Sequence, residues 1–258
     1  MNKLFDLTGK VAVVTGASAG LGADAALAYA EAGADVAILA RRKEKLETVK
    51  QTIEQTGRKV LAVECDVTNE ESVRNAIAEV LKEFGKIDIL LNNAGVAVRG
   101  GVETMTVEDW DKSFNTNVKG IFLVSKYVLP GMKERNYGKI VNIASVNAVV
   151  ANKDETFIRH SYNASKAAVN GLTMGMAATY AKYGITVNSI GPALFETEMT
   201  ENTLFKSEEF LKGYSYLVPE NRPAKKGELN GTVIYLSSDA SSYVQGQFIL
   251  VDGGFTQV

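Results

Sequence analysis

Short apolar runs recur along the chain, separated by longer stretches in which apolar and polar residues mix. The runs contain few polar positions, which is typical of strands buried on both faces of a parallel sheet. Seven such runs occupy Val11–Val14, Val36–Leu39, Val60–Val63, Ile87–Leu91, Ile140–Ile143, Thr186–Ile190 and Phe248–Val251. We therefore predict a parallel sheet of about seven strands.

The stretches between the runs have the spacing of amphipathic helices. Leu46, Val49 and Ile53, for example, lie three and four positions apart and share one helical face. Thr68-x-x-Glu71 and Thr106-x-x-Asp109 predict helix starts, since a threonine hydroxyl can accept a hydrogen bond from a first-turn N–H group. Strand and helix alternate without a linker, which predicts an α/β fold: a Rossmann-like, doubly wound sheet with helices on both faces, forming a single domain over residues 1–258.

The segment 193–226 departs from this alternation. It is rich in large apolar residues, among them Phe195, Phe210 and Tyr214, yet it holds no strand-like run. One interpretation is a pair of helices that extends the core. We favour an apolar lid over a substrate pocket, because the segment follows the carboxyl end of a predicted strand, where open α/β sheets bind their ligands.

Charge and composition narrow the class of protein. Lys and Arg number 28 against 30 Asp and Glu, and the resulting net charge of −2 gives no electrostatic basis for binding nucleic acid or an anionic membrane. No apolar run approaches the roughly 20 residues that span a bilayer, and the residues from Met1 and Asn2 onward lack the apolar core of a signal peptide. The single cysteine, Cys65, cannot form an internal disulfide. We expect a cytoplasmic protein.

A glycine-rich turn, Thr15-Gly16-x-x-x-Gly20-x-Gly22, follows the first predicted strand and precedes an alanine-rich helix. Glycine at these positions permits a tight turn, lets backbone approach a phosphate and allows close packing of helix on strand. The start of the helix adds free N–H groups and a favourable dipole. Glycines also serve ordinary loops, but between the first strand and the first helix they indicate a dinucleotide site.

The residues after the second and third strands bear on the choice of cofactor. An acidic residue after the second strand would bind a ribose 2′-hydroxyl and favour NAD(H), whereas this chain has Arg41 and Arg42. Guanidinium groups bind phosphate through charge-assisted, bidentate hydrogen bonds, so NADP(H) is favoured over NAD(H). A solvated helix start is the alternative, because three more charged residues follow. Asp66, after the third strand, is a candidate for the adenine amino group or for a turn.

Taken in order, the motifs resemble those of the short-chain dehydrogenase/reductase family. Besides the glycine-rich turn, these are Asn92-Asn93-Ala94-Gly95, Tyr162-x-x-x-Lys166, Pro192 with Thr197-Glu198-Met199, and Val251-Asp252-Gly253-Gly254. They span nearly the whole chain. The resemblance implies a nicotinamide-dependent enzyme that forms a homo-oligomer, a tetramer or dimer. It also implies cofactor contacts at Gly16, Ser18, Gly20, Leu21, Gly22, Arg41, Arg42, Asp66, Val67, Asn93, Ala94, Gly95, Tyr162, Lys166, Phe195 and Thr197.

Tyr162 and Lys166 suit acid–base chemistry at a carbonyl. Hydride transfer leaves an alkoxide that needs a proton, and tyrosine can supply it if a nearby cation lowers its ordinary pKa of about 10. Lys166 is four residues after Tyr162 and so shares its helical face. The alternative, an amphipathic helix with a surface lysine, is disfavoured by the preceding dinucleotide motif. By resemblance Ser145 would hydrogen-bond the substrate oxygen, and the backbone of Asn117, preferred to Asn115, would help hold a water near Lys166.

Three departures from the family pattern affect the site. Ser145 and Tyr162 are 17 residues apart, a few more than usual, and the extra residues within 151–160 predict a larger loop at the pocket mouth. Ala193 stands where the family commonly has a glycine beside the nicotinamide. Ala19 stands where NADP-dependent relatives often have a basic residue, so the phosphate contact would depend on the two arginines.

The substrate is less sharply defined. The chain most resembles sugar-acid and polyol dehydrogenases of the gluconate 5-dehydrogenase type, through Leu4-Phe5-Asp6-Leu7-x-Gly9-Lys10 and the ending Gly246-Gln247-x-Ile249-x-Val251-Asp252-Gly253-Gly254. 3-Oxoacyl carrier-protein reductases and hydroxysteroid dehydrogenases share much of this frame, and a non-catalytic NADP-binding sensor is a further alternative. Arg99, Lys153 and Arg159 are candidates for holding a carboxylate, or else solvated surface residues.

The only histidine, His160, is two residues before Tyr162. We expect it to be a loop or surface residue, with substrate contact as the alternative. No cluster of His, Cys and Asp accompanies it in the sequence, so no metal site is predicted.

Overall fold

Seven parallel strands form one sheet at the centre of the computed structural model, which describes residues 3–153, 155–201 and 204–258. Each strand overlaps one of the predicted apolar runs, and only β4 begins later than its run, at Ile89 instead of Ile87, so the predicted sheet is confirmed. The strands are β1 (Val11–Thr15), β2 (Asp35–Ala40), β3 (Val60–Glu64), β4 (Ile89–Asn92), β5 (Gly138–Ile143), β6 (Ile185–Pro192) and β7 (Phe248–Val251). They lie in the order β3-β2-β1-β4-β5-β6-β7.

Helices cover both faces of this sheet. They are α1 (Gly20–Glu31), α2 (Lys43–Glu54), α3 (Glu70–Phe84), α4 (Val107–Phe114), α5 (Gly120–Arg135), α6 (His160–Tyr180), α7 (Glu198–Glu201), α8 (Glu208–Leu217) and α9 (Asn230–Ser237). Buried side chains of α1, α2 and α9 pack on one face, and those of α3, α5 and α6 pack on the other. The prediction of a doubly wound α/β fold is therefore confirmed.

The order of the strands reverses between β1 and β4. The chain proceeds from β1 outward to β3, then returns to the other side of β1 and continues from β4 to β7. The connections at this point diverge to opposite faces of the sheet, which leaves a crevice at the carboxyl ends of the strands. The crevice is where this fold class binds ligands.

One of the two predicted helix starts is confirmed and the other is wrong. The Thr106 hydroxyl accepts a hydrogen bond from the Asp109 N–H at 3.1 Å, as predicted. Helix α3, however, begins one residue after Asn69, whose side chain accepts from the Ser72 N–H. Thr68 is not available as a cap, because its N–H and hydroxyl both donate to Oδ1 of Asp66, at 2.9 and 2.8 Å, in a turn after β3.

Parts of the predicted features lie outside the described residues: Met1 and Asn2 at the amino terminus, Asp154 in the predicted loop, and Asn202 and Thr203 in the predicted lid. Across the described ranges, no helix has the length and apolar character needed to cross a bilayer. The same ranges bring together no group of three or more His, Cys, Asp or Glu side chains that could hold a metal ion.

Candidate active site

A cavity of about 1030 Å³ opens at the carboxyl ends of the strands, at the reversal between β1 and β4. Gly22 and Asn117 lie behind its wall rather than on it. The other predicted site residues line it: Gly16, Ser18, Gly20, Leu21, Arg41, Arg42, Asp66, Val67, Asn93, Ala94, Gly95, Ser145, Tyr162, Lys166, Phe195 and Thr197. The sheet therefore brings residues from most of the chain to one place.

The glycine-rich turn lies against the segment that follows β4. Gly16 has a φ of +66°, and a Cβ there would lie 2.7 Å from the Ala94 Cα. A Cβ on Gly22 would lie 2.4 Å from Nδ2 of Asn93, which donates to the carbonyl oxygens of Thr15 and Gly16 at 3.0 and 3.2 Å. Gly22 thus acts through packing, and Asn93 fixes the turn with its side chain while lining the cavity.

The first turn of α1 borders the cavity, and the first N–H groups of a helix have no partner within the helix. Ala19 precedes this helix and supplies no capping hydrogen bond from its side chain, and Ser18, Gly20 and Leu21 line the cavity beside it. Backbone N–H groups at a helix start, together with the helix dipole, stabilise an anion. This end of the cavity therefore fits the pyrophosphate of a dinucleotide.

Arg42 is already engaged by a carboxylate of the predicted lid. Its Nη1 and Nη2 donate to the two carboxylate oxygens of Glu198 at 2.7 and 2.6 Å, and Nη2 also donates to the Ser18 hydroxyl at 2.9 Å. Lys45 pairs with the same carboxylate. The hydrogen bonds from Arg42 and Lys45 lower the pKa of Glu198 to about 2. Arg41 is exposed and lines the cavity nearby.

Ser145, Tyr162 and Lys166 meet at the inner end of the cavity, where β5 ends and α6 begins. The Lys166 ammonium donates to the Ile143 carbonyl at 2.7 Å and lies 5.7 Å from the centroid of the Tyr162 ring. Burial lowers the pKa of Lys166 to about 8. The three side chains thus share one wall, with the lysine directed at the backbone of β5.

The sequence-based expectation for the pKa of Tyr162 is wrong. Burial raises this pKa above its ordinary value, and a hydrogen bond with Ser145 and the positive charge of Arg159 oppose the shift only in part. The physical reason is that the phenol is removed from water while the Lys166 ammonium bonds to the Ile143 carbonyl. Tyr162 is therefore protonated near neutral pH in this arrangement.

Asn117 lies in a π-helical turn, Asn115–Lys119, that joins α4 to α5. Its side chain is buried, accepts from the Val96 N–H at 2.8 Å, and donates to the Val96 carbonyl and the Ser165 hydroxyl at 3.0 and 2.9 Å. These bonds join the segment after β4 to α6 beside Lys166. The predicted water contact of its backbone stays a prediction, and the side chain has a positioning role that the sequence did not indicate.

The predicted loop and lid form the outer part of the cavity wall. Asn152, Lys153 and Phe157 of the loop line it, together with Leu204, Phe210, Gly213, Tyr214, Tyr216 and Leu217 of the lid. Phe210 contacts the rings of Phe157 and Tyr214, with centroids 5.3 and 6.3 Å apart. Whether the segment moves as a lid stays a prediction.

Sequence reasoning missed Phe255, which lines the cavity and stacks on Tyr214 with ring centroids 5.7 Å apart. A signal was present, because Phe255 directly follows the Gly253-Gly254 turn at the carboxyl end of β7, the edge where ligands bind. His160, by contrast, is exposed at the first position of α6, and its Nδ1 accepts from the Val102 N–H at 3.0 Å, in agreement with the expected surface position.

The chain belongs to the short-chain dehydrogenase/reductase family. Residues 16–256 match a family model described as enoyl-(acyl carrier protein) reductase. Gluconate 5-dehydrogenase of Gluconobacter oxydans is 40% identical over 98% of this chain and 97% of its own length. A 3-oxoacyl-[acyl-carrier-protein] reductase of Thermotoga maritima is 37% identical over 96% and 98%. Membership makes this protein an oxidoreductase that acts on CH–OH or C=O groups.

Solved structures agree with this assignment. A gluconate 5-dehydrogenase from Burkholderia cenocepacia, crystallised with NADP and tartrate, superposes with a TM-score of 0.93. It is 37% identical and covers 99% of this chain and 98% of its own. The family resemblance drawn from the motifs is confirmed.

Asn117 and Asn115 provide a matched pair of substitutions. Asn117→Ala removes three buried hydrogen bonds, and we expect it to lower the free energy of unfolding by about 1–3 kcal/mol in urea denaturation. Asn115 is exposed, so Asn115→Ala should change the free energy of unfolding by less than about 0.5 kcal/mol. Equal effects would show that the hydrogen bonds of Asn117 do not hold the turn.

The lowered pKa of Lys166 makes stability depend on pH. Between pH 8 and 10.5 the unfolded chain keeps a proton on Lys166 that the folded chain has lost, so the free energy of unfolding contributed by this group increases with pH. Relative to Lys166→Met, the wild type should gain up to about 3 kcal/mol over this range. The free energy of unfolding of both proteins is measured by urea denaturation as a function of pH. The same pH dependence in both would contradict the lowered pKa of Lys166.

Proposed function

We propose that this protein interconverts a secondary alcohol and a ketone with NADP(H), with Tyr162 as the acid and base. The observation that carries this proposal is a single cavity in which Ser145, Tyr162 and Lys166 line one end and the turn from Gly16 to Gly20 lines the other. A hydride acceptor bound along the turn would extend toward the tyrosine. The family membership supports the same reaction class.

The arginines after β2 and the NADP in the Burkholderia cenocepacia relative support NADP(H) over NAD(H). Arg42 is fixed by Ser18, and Arg41 is free of ion pairs within the described part of the chain. Arg41 can present planar donors to a 2′-phosphate, and Arg42 can do so by exchanging its bonds to Glu198 for bonds to the phosphate. The first-turn N–H groups of α1 would hold the pyrophosphate, and Asp66, Val67, Ala94, Gly95, Phe195 and Thr197 would enclose the rest.

The chain's own residues handle the proton. The nicotinamide supplies or accepts the hydride when bound. Tyr162, kept protonated by burial, donates its phenolic proton to the oxygen of a ketone substrate, and Ser145 hydrogen-bonds the same oxygen. The Lys166 charge then stabilises the phenolate that remains. In the reverse direction the phenolate takes the proton of the alcohol.

A sugar acid or polyol, as for the gluconate 5-dehydrogenases, is the substrate class that we propose. The identity to the Gluconobacter oxydans protein and the tartrate in the Burkholderia cenocepacia structure support it. A 3-oxoacyl carrier-protein or steroid substrate is the second candidate, because Phe157, Phe210, Tyr214 and Phe255 give the cavity an aromatic wall. We expect a cytoplasmic homo-oligomer, a tetramer or dimer.

Tyr162→Phe tests the chemistry. Without the phenolic proton, reduction of 5-keto-D-gluconate by NADPH, followed by absorbance, should fall at least about 100-fold in kcat. The Kd for NADPH should stay within about 2-fold, which separates loss of chemistry from loss of folding. Near wild-type turnover would contradict the role of Tyr162. If the wild type itself reduces no carbonyl substrate of either candidate class, a non-catalytic NADP-binding sensor is the alternative.

Glu198→Gln tests the cofactor assignment. A 2′-phosphate would compete with the Glu198 carboxylate for Arg42, and exposed ion pairs of this kind contribute about 0–1 kcal/mol. We expect the Kd for NADPH, measured by fluorescence titration, to fall by about 2- to 5-fold and the Kd for NADH to be unchanged. Glu196→Gln is the control, since Glu196 is exposed and has no ion pair within the described ranges. Equal changes in the Kd for NADPH and the Kd for NADH would contradict a contact between Arg42 and the 2′-phosphate.

A further inference from the structure

We propose that Arg159 binds a carboxylate of the substrate, so that the alcohol or ketone handled here is a hydroxy or oxo acid. This inference rests on the proposed function and narrows its substrate class. Sequence alone left Arg159, Lys153 and Arg99 as equal candidates for an anion or for solvent. The structure distinguishes them by position and burial.

Arg159 is held in place by its backbone. It directly precedes α6, three residues before Tyr162, and pairs with Gly100 in a short parallel bridge. The Gly100 N–H donates to the Ile158 carbonyl, and the His160 N–H donates to the Gly100 carbonyl, both at 3.1 Å. The two hydrogen bonds fix the main chain on either side of Arg159, so its side chain starts from a defined point in the cavity wall.

The guanidinium of Arg159 has no partner among the residues that the structure describes. It forms no ion pair or hydrogen bond with them, and its Nε is buried without an acceptor. Burying a charged donor without an acceptor is costly, and buried charges in proteins are normally paired. An acceptor that enters the cavity would satisfy this donor.

The charges around Arg159 select an anion. Among the described residues, the titratable groups that act on it are Tyr162, which is neutral near pH 7, and Arg99. Burial lowers the pKa of Arg159, and repulsion by Arg99 lowers it further. Lys153 lines the same cavity and adds positive charge. A planar guanidinium matches a carboxylate through two parallel hydrogen bonds, which makes a carboxylate a better fit than a hydroxyl.

The position of Arg159 distinguishes it from the residues at the cofactor end of the cavity and from Arg99 and Lys153. The phosphate end of the cavity is served by Arg42 and the α1 N-terminus, whereas Arg159 shares the substrate end with Tyr162 and Phe157. Arg99 is exposed and lies outside the cavity lining, and Lys153 is exposed. Arg159 alone among the three combines partial burial with a place on the cavity wall.

Arg159→Gln tests this assignment with matched substrates. The acids are 5-keto-D-gluconate and 4-oxopentanoate, and their neutral counterparts are L-sorbose and methyl 4-oxopentanoate. With NADPH saturating, loss of a charge-assisted pair should raise KM for the acids about 10- to 100-fold and leave KM for the neutral ketones within about 2-fold. Arg159→Lys should recover part of the loss, because it keeps the charge but not the planar fork. Arg74→Gln, on the exposed surface of α3, controls for removal of an arginine.

Two results would overturn the proposal. One is an equal rise in KM for acids and neutral ketones, which would mean a general structural role for Arg159. The other is loss of acid selectivity in Arg99→Gln but not in Arg159→Gln, which would assign the carboxylate to the exposed arginine.

Calorimetry separates failure of this inference from failure of the proposed function. Gluconate and D-glucitol differ at one terminal carbon, and their binding to the Tyr162→Phe protein with NADP bound needs no turnover. We expect gluconate to bind at least about 10-fold more tightly than glucitol, and Arg159→Gln to remove the difference. That result, together with a wild type that reduces none of the ketones, would support the carboxylate site and refute the proposed interconversion of these alcohols and ketones. Equal binding of the two probes would refute the site whether or not a ketone is reduced.

Discussion

The site depends on how closely the turn after β1 approaches the segment after β4. Only glycine fits at Gly16 and Gly22, because a Cβ at either would lie within 2.7 Å of Ala94 or Asn93. Asn93 then bonds to the carbonyls of the turn. This contact fixes the two central strands where the sheet order reverses, and so places the α1 N-terminus opposite the residues carried by β5 and α6. A larger side chain would separate the two ends of the cavity.

Much of the fold was predictable because the central strands are buried on both faces. Such strands leave unbroken apolar runs, and β1, which is buried throughout, contains its predicted run Val11–Val14. Ser145 follows β5, and Tyr162 and Lys166 lie near the start of α6. The strand and helix boundaries were therefore enough to place all three residues at the carboxyl edge of the sheet. Thr68 was misjudged because a nearby carboxylate, Asp66, competes for its hydroxyl.

Contacts between distant segments could not be predicted in the same way. Arg42 and Glu198 are 156 positions apart, and nothing in their local patterns signals the pair. The same applies to the pKa of Tyr162, where sequence spacing indicated a nearby cation but not the burial that outweighs it. The sequence also did not indicate the direction of the Asn117 side chain, which bonds to Val96 and Ser165 and does not line the cavity.

The short bridge between Gly100 and Arg159 joins the start of α6 to the segment that follows β4. It closes the long loop just before α6, so the helix that carries Tyr162 begins from a fixed point whatever the loop contains. We therefore expect that residues of the loop can be exchanged, and the loop lengthened or shortened, with little displacement of Tyr162. The bridge makes this loop a natural place for engineering, where a library of sequences could reshape the outer cavity wall while Tyr162 keeps its position.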